Sequence, residues 1–456
     1  MNKQPQIVDK TAQFGEDSIL KLMIRYSLPS IVAMLVQSTY NIINMSFVGR
    51  SVGPMGIAAI AVCNPITMVQ GAINQLIGNG SSTAVAIKLG QGDKEASRSL
   101  LGSAVAFNLV VSTINVVLGH MFMVPLLRAF GASDAILPLA RDYLSITLLG
   151  MVFATFMPLN PMMRIEGYPK RAMLTMFIST LVNLICSPTF IFVFHWGIRG
   201  AALGTFCAQF AVSLWMFIFL IGKNRVIGLK WKYVRLKLGN LLQIMQLGLP
   251  MFLMSLTQTL LSVTMNKSLL AYGGDISISA WGITNTINSI VAQPVLGLNQ
   301  AVQPIIGYNA GAKKYDRVKL TLFCSLAVAT VISTFGWLLT RFFPTQIFAF
   351  FNNDPELIAV GSHMMIVFRA LIFVTGFQQA GAAYFQYVGK PNTSVFLTLS
   401  RQVLILMPLI WILPGFFQMN GILYAGPISD FISTVLTAVY ILLEVRRLNK
   451  LIGGSL

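Results

Sequence analysis

Twelve apolar runs, each long enough to cross a bilayer, decide what this chain can fold into. About 20 apolar residues make a helix that spans the roughly 30 Å hydrocarbon core. The runs lie at roughly 27–48, 56–79, 99–125, 137–160, 171–194, 199–221, 246–271, 277–303, 319–343, 357–380, 393–415 and 421–444. Lipid offers no hydrogen bonds, so a spanning backbone must be a helix or a closed barrel. Barrel strands are about ten residues long and alternate in polarity; these runs do neither. Only 10% of the residues are charged, against about 25% in soluble domains, which excludes a soluble class.

The net charge of +18 invites a nucleic-acid reading. The positions of the bases oppose it, because every basic patch abuts an apolar run. If the termini and every second loop share one side, that side holds 24 of the 32 bases, including the 222–245 linker. The other side holds only Arg50, Arg128, Arg141, Arg199 and Arg341. Cytoplasmic loops are the basic ones, so both termini are expected in the cytoplasm of a multi-pass protein of the cell membrane. The first roughly 20 residues are polar and lack the apolar stretch of a cleavable signal, which agrees. Cys63, Cys186, Cys207 and Cys324 lie inside apolar runs without metal-ligand spacing and read as small hydrophobes.

The two halves repeat at an offset of 219 to 222 residues. Leu28, Pro29 and Gln37 align with Leu249, Pro250 and Gln258; Gly167 and Pro169 with Gly389 and Pro391; Gly200 with Gly421. The loop around Gly92 aligns with the loop around Gly311. The expected fold is therefore all-α: twelve transmembrane helices in two pseudo-symmetric six-helix bundles. The lobes are 1–221 and 246–456, joined by the basic cytoplasmic linker 222–245. Parallel duplication of a six-span unit is a common transporter design, with a cleft between the lobes near mid-membrane.

Several segments carry a resemblance. They are YNIINMSFVGR at 40–50, LGQGDKEASR at 89–98, MMRIEGYPKRAM at 162–173, GLNQAVQPIIGYNAGAKKYDR at 297–317, YVGKPNTS at 387–394 and SRQVLILMPLIWILP at 400–414. On these the chain resembles the MATE (multidrug and toxic compound extrusion) transporters over essentially its whole length. With GPISD at 426–430 it looks most like the MepA-like branch. The resemblance implies a V-shaped pair of bundles that exports cationic or amphipathic small molecules against inward H⁺ or Na⁺ flow. It also implies a carboxylate in helix 1 and another in helix 5. Here those places hold Asn44 and Ser187. Their neutral neighbours Tyr40, Asn160, Asn183 and Thr205 remain, so a first-lobe polar site is expected without a titratable group. In the family a bend in helix 1 links ion binding to release. Pro29 sits at the matching position, and Pro250 is its repeat mate; both are the expected hinges.

Ionisable groups inside spans are costly and usually functional. Arg369, Arg401 and Asp430 are the candidates, and their repeat mates Thr147, Ser179 and Gln209 are neutral. At about 1.5 Å per residue the three fall within roughly one helical turn of a common depth. They are the expected ion-coupling residues; a purely structural bridge and direct contact with substrate are the competing accounts. Two arginines facing one acid sit awkwardly with a cationic drug and suit an anionic or zwitterionic one. Lys267 lies near a helix end, where snorkelling explains it. Gln37, Gln258, Asn266, Asn299, Gln300 and Gln303 are the candidates for lining the cleft, with interhelical hydrogen bonding as the alternative. Glu166 is expected in a loop ion pair with Arg164 and Lys170, and Glu444 at the membrane interface.

No catalytic constellation, metal cluster or phosphate-binding loop stands out, so neither an enzyme nor a nucleotide-driven pump is expected. No cofactor or metal is expected, and the coupling ion is H⁺ or Na⁺. The expected partners are a small-molecule substrate and membrane lipid, not nucleic acid, and the chain is expected to act as a monomer. Two rivals remain: a flippase or exporter of lipid-linked or anionic substrates in the same superfamily, and a membrane scaffold or sensor that transports nothing.

Overall fold

A computed structural model describes residues 10–52, 54–222, 225–351 and 354–453; the side chains of 38–54 and 57 lie outside the description. All regular structure among the described residues is helical. The long helices of the first half are α1 (Ile19–Val52), α2 (Pro54–Gly90), α3 (Lys94–Met121), α4, α5 (Pro169–Pro188) and α6 (Gly197–Ile221). Helix α4 is a broken pair, Leu137–Phe153 and Met157–Ile165, bent by 51°. In the second half the segment Leu238–Gly311 breaks at Gly274, where φ is 64° and ψ −166°, into arms α7 (238–273) and α8 (275–311). Helix α9 is Tyr315–Phe342. Helix α10 is again a broken pair, Pro355–Phe368 and Ile372–Tyr387, bent by 50°. Helix α11 runs through Pro391–Leu399, a π-turn at Ser400–Leu406, and Met407–Ile412. Helix α12 is the part of Pro414–Gly453 beyond Gln418.

Eight of the described helices are long and apolar enough to cross a membrane, or ten when each bent pair counts as one. That tally takes Leu238–Gly311 as a single helix although Gly274 divides it.

The internal repeat is written into the backbone. Left-handed φ values occur at Gly92 (80°) and Lys313 (58°), at Gly167 (87°) and Gly389 (80°), and at Gly197 (52°) and Gln418 (49°). Each pair is separated by 221 or 222 positions. The fourth helix of each half is broken; a π-turn follows α5 at Thr189–Val193 and another interrupts α11 at Ser400–Leu406, at places that the repeat does not pair. The backbone therefore pairs Gly92 with Lys313 and Gly90 with Gly311. It corrects the alignment of Gly92 with Gly311, because a lysine adopts the left-handed turn that glycine takes in the first half.

The halves join at one end. Near the basic turns, α2 lies so close to α8 that a Cβ on Gly90 would stand 1.9 Å from the Tyr308 carbonyl oxygen. Its mate does the same from the other side: a Cβ on Gly311 would stand 2.0 Å from Ile87 O. Helices α2 and α7 cross through Gly80 and Gly248, and α8 meets α1 at Gly297. Small residues let backbones approach this closely in a membrane. Two apolar clusters span the seam. One packs Leu22 and Tyr26 against Leu298 and Val302; the other packs Leu76 and Val85 against Ile244 and Leu247. At the far end the cores stay separate: one holds Ala59, Leu144 and Ile198, the other Met265, Leu357 and Leu423.

Gln303 ties this seam together. It is buried, and its amide nitrogen reaches Ser82 Oγ and Thr83 Oγ1, both at 2.8 Å, and Asn79 O at 3.2 Å. Gln303→Leu should weaken the closed seam by about 1–3 kcal/mol, since polar groups on α2 lose their donor inside a dry interface. A thermal melt of the purified protein should fall by several degrees, whereas an unchanged midpoint would show that the amide contributes nothing.

Candidate functional site

The second half holds a charged cluster against a cavity. Arg401 lies in the π-turn of α11, where the normal backbone ladder is interrupted. Ser429 on α12 donates to the Arg401 carbonyl at 2.7 Å. The next residue, Asp430, accepts at Oδ1 from Arg401 Nε at 2.8 Å. Two consecutive α12 residues thus grip one α11 residue by backbone and side chain. The Asp430 side chain is 8% exposed and that of Arg401 24%, so the acid is buried and the base half-reaches the cavity.

Arg369 occupies the break in α10, just after Phe368, with φ −106° and ψ 17°. The broken ladder is completed by Trp337, whose indole N–H donates to Ala370 O at 2.9 Å. Arg369 is buried, and its Nη2 donates to Asn288 Oδ1 on α8. Its Nη1 has no partner among the described residues. Removing a guanidinium from water without a full set of acceptors is costly, so this arrangement stores an unmet demand for negative charge.

Three adjoining cavities of about 40, 180 and 70 Å³ share Arg401 and Gln402 in their walls. Gln258, Asn285 and Asn288 line the second and third; Met254, Leu296 and Gln379 line the first and second. Asp430 lines the third. Asn299 and Pro250 line the first of these neighbouring cavities, Gln258 the second and third, and Arg369 reaches the second and third through Asn288. Asn285, Asn288, Ser289 and Gln293 are wall residues that the sequence reading missed. Their spacing of three, one and four is the signal that was there, a polar stripe along one face of the helix.

The other cleft candidates are placed differently. Gln303 is in the seam, and Gln300 accepts from Arg164 Nη2 at 2.7 Å, joining α4 to α8 across it. Asn266 is exposed and lines none of these cavities, and Gln37 is half-buried in α1. Pro29 lies inside α1 and Pro250 inside α7, neither marking a break in its helix.

In the first half, Ser187 donates to Asn183 Oδ1 at 2.9 Å and Asn183 reaches Thr205 Oγ1 at 3.5 Å, joining α5 to α6. Asn160 donates to Ala172 O at 3.2 Å. Asn160, Asn183 and Ser187 are buried. Their hydrogen bonds run to one another or to backbone, an interhelical role. Tyr40 and Asn44 fall outside the described side chains.

Two acids outside these clusters are held by partners. Glu166 is buried, and its carboxylate accepts from Ile227 N at 2.6 Å and Val226 N at 3.1 Å, pinning the linker beneath the first half. Glu444 is buried, paired with Lys390 and with Arg447 at 3.3 Å. The linker covers the first of these acids, and Lys390 in the α10–α11 turn covers the second. Among the described residues no group of three or more His, Cys, Asp or Glu is placed to hold a metal.

Comparison with known proteins decides the class. The MatE family model matches residues 29–189 and 250–412, once in each half. The chain belongs to the MatE family. It is similar to the multidrug export protein MepA of Staphylococcus saprophyticus, 25% identical over 96% of this chain and 97% of that one. MepA of Staphylococcus haemolyticus is 26% identical over 95% of each chain. Among solved structures, a complex of the MATE multidrug transporter DinF-BH superposes with a TM-score of 0.87 at 32% identity, over 95% of this chain and 97% of that one. A MATE structure in complex with MaL6, at 22% identity over 97% of this chain and 99% of that one, shares the fold with a TM-score of 0.90. This MatE protein is a membrane transporter and not an enzyme.

Proposed function

We propose that the chain is a secondary active exporter of amphipathic small molecules, an antiporter driven by inward H⁺ or Na⁺ flow, with Asp430, Arg401 and Arg369 as its coupling centre. The observation that carries this reading is the Arg401–Asp430 pair on the wall of a cavity, with Arg369 one hydrogen bond behind it. Among the described residues Asp430 is the one carboxylate lining these cavities, so it is the group able to exchange a proton or sodium ion there. The first half offers only amides and hydroxyls at the corresponding described positions, and such groups do not release a proton at physiological pH. The multidrug export names of the MepA relatives and of DinF-BH supply the direction and breadth of cargo.

The basic end is the cytoplasmic one in this reading, with both termini inside. The seam of α1, α2, α7 and α8 then closes the inner side, and the separate cores flank the outer side. The protein works as a monomer.

The test is dye movement in vesicles holding the purified protein in known orientation. A pH gradient and a sodium gradient are imposed separately. One of the two should speed outward transport several-fold over vesicles without a gradient; equal rates under both gradients and none would contradict antiport.

A further inference from the structure

Asp430 holds Arg401 from one side only. Nε to Asp430 Oδ1 is the single hydrogen bond that the Arg401 side chain makes among the described residues. The two terminal nitrogens carry four N–H groups with no acceptor among those residues, and the side chain is 24% accessible. Arg401 lines all three cavities. In the wall of the second cavity stand the amides of Gln258, Asn285, Gln379 and Gln402, each able to donate to an anion as well as to accept. The Asp430 carboxylate thus acts as a positioning group that fixes the plane of the guanidinium and leaves its fork open.

The charges point the same way. Two guanidiniums, Arg369 and Arg401, face one carboxylate, and no other acid among the described residues lines the cavities. The fixed charge is one unit positive, and Arg369 Nη1 has no acceptor. A ligand bearing only a positive charge meets net repulsion here. A planar oxoanion meets a fork that matches it in geometry and sign, in a site partly removed from water.

We infer that Arg401 binds an acidic group of the transported molecule, and that the cargo of this cavity is an acid-bearing amphiphile, anionic or zwitterionic. The apolar body lies along Met254 and Leu296 on the same wall. The inference rests on the reading of this cluster as the working end of an exporter, and it names the chemistry of the cargo. The same oxoanion has two sources, a dissolved carboxylate or the phosphate of a lipid headgroup.

The experiment measures binding without any gradient, so its result is independent of whether transport is coupled. The probes are a xanthene dye with a free carboxylate and its ethyl ester, identical except for that group. Fluorescence polarisation is recorded with the purified full-length protein in neutral detergent. The acid should bind at least about tenfold more tightly than the ester, the value of one charge-assisted pair of hydrogen bonds. Arg401→Gln should abolish the preference by weakening the acid alone. Because that variant leaves Asp430 unpaired, Arg401→Gln with Asp430→Asn is measured beside it and should show the same loss of preference. Adding phosphatidylglycerol or phosphatidylcholine micelles separates the sources. Displacement of the acid dye by phosphatidylglycerol alone assigns the site to an acidic headgroup, and displacement by neither assigns it to a soluble acid. An ester bound as tightly as the acid, or a preference that survives in both variants, overturns the inference.

Discussion

Replacing Gly311 by valine is expected to hold the basic end of the molecule apart. A Cβ at this position stands 2.0 Å from Ile87 O, and the atom it meets is backbone, which cannot rotate away. The helices must separate by more than about 1 Å to relieve the overlap, and overpacking of this kind costs about 1–3 kcal/mol or more. Gly90→Val makes the same collision from α2, 1.9 Å from Tyr308 O, so the two variants should behave alike. Since 1.4 kcal/mol is about tenfold in a two-state equilibrium, a molecule closed most of the time should become largely open. Spin labels at the exposed positions Gln91 and Lys313 report the change directly. Their distance distribution should shift outward by several ångströms, and transport should stop because the cycle loses its closed state. Unchanged distances in both variants would mean that the glycine contacts do not govern closure.

The second large effect lies at Asp430. Asp430→Ala removes the carboxylate that Arg401 Nε donates to and leaves that guanidinium without an anion. Breaking a buried pair from one side costs about 3–5 kcal/mol, because a desolvated charge is stranded. The melting midpoint should drop sharply and the folded yield with it. Adding Arg401→Leu to Asp430→Ala should restore much of the loss, since the stranded charge goes too. This non-additivity is the signature of a direct pair. If the double variant is as unstable as the sum of the singles, Arg401 and Asp430 do not depend on each other.

Much of this architecture was legible in the sequence for a plain reason. A bilayer demands long apolar helices and punishes charges, so run lengths, basic loops and stray ionisable residues all carry strong signal. Counting residues along helices was enough to bring Arg369, Arg401 and Asp430 to a similar depth. It could not say which arginine takes the acid. That choice depends on the π-turn at Ser400–Leu406 and on the break at Arg369, and both alter the register that a regular helix would give.

The polar residues were harder to sort. Gln303, Gln300 and Asn299 sit close together on α8, yet Gln303 binds α2, Gln300 binds Arg164 and Asn299 lines a cavity. All three avoid lipid, and periodicity registers only that avoidance. The stripe from Asn285 to Gln293 is faint for a different reason: none of its members is charged, and a neutral polar residue costs a membrane helix too little to stand out. That Asn44 and Ser187 stand where the resemblance implies carboxylates was visible at once, because it is a matter of residue identity alone.

The coupling claim is tested most directly by Asp430→Asn, which keeps the shape of the side chain and removes its titration. Vesicles containing this variant and the parent protein are loaded with the same dye, and outward flux is followed with and without the gradient that drives the parent. The account predicts that the variant binds the dye yet moves it at one slow rate whether or not the gradient is present. Full acceleration by the gradient in the Asp430→Asn protein would contradict it.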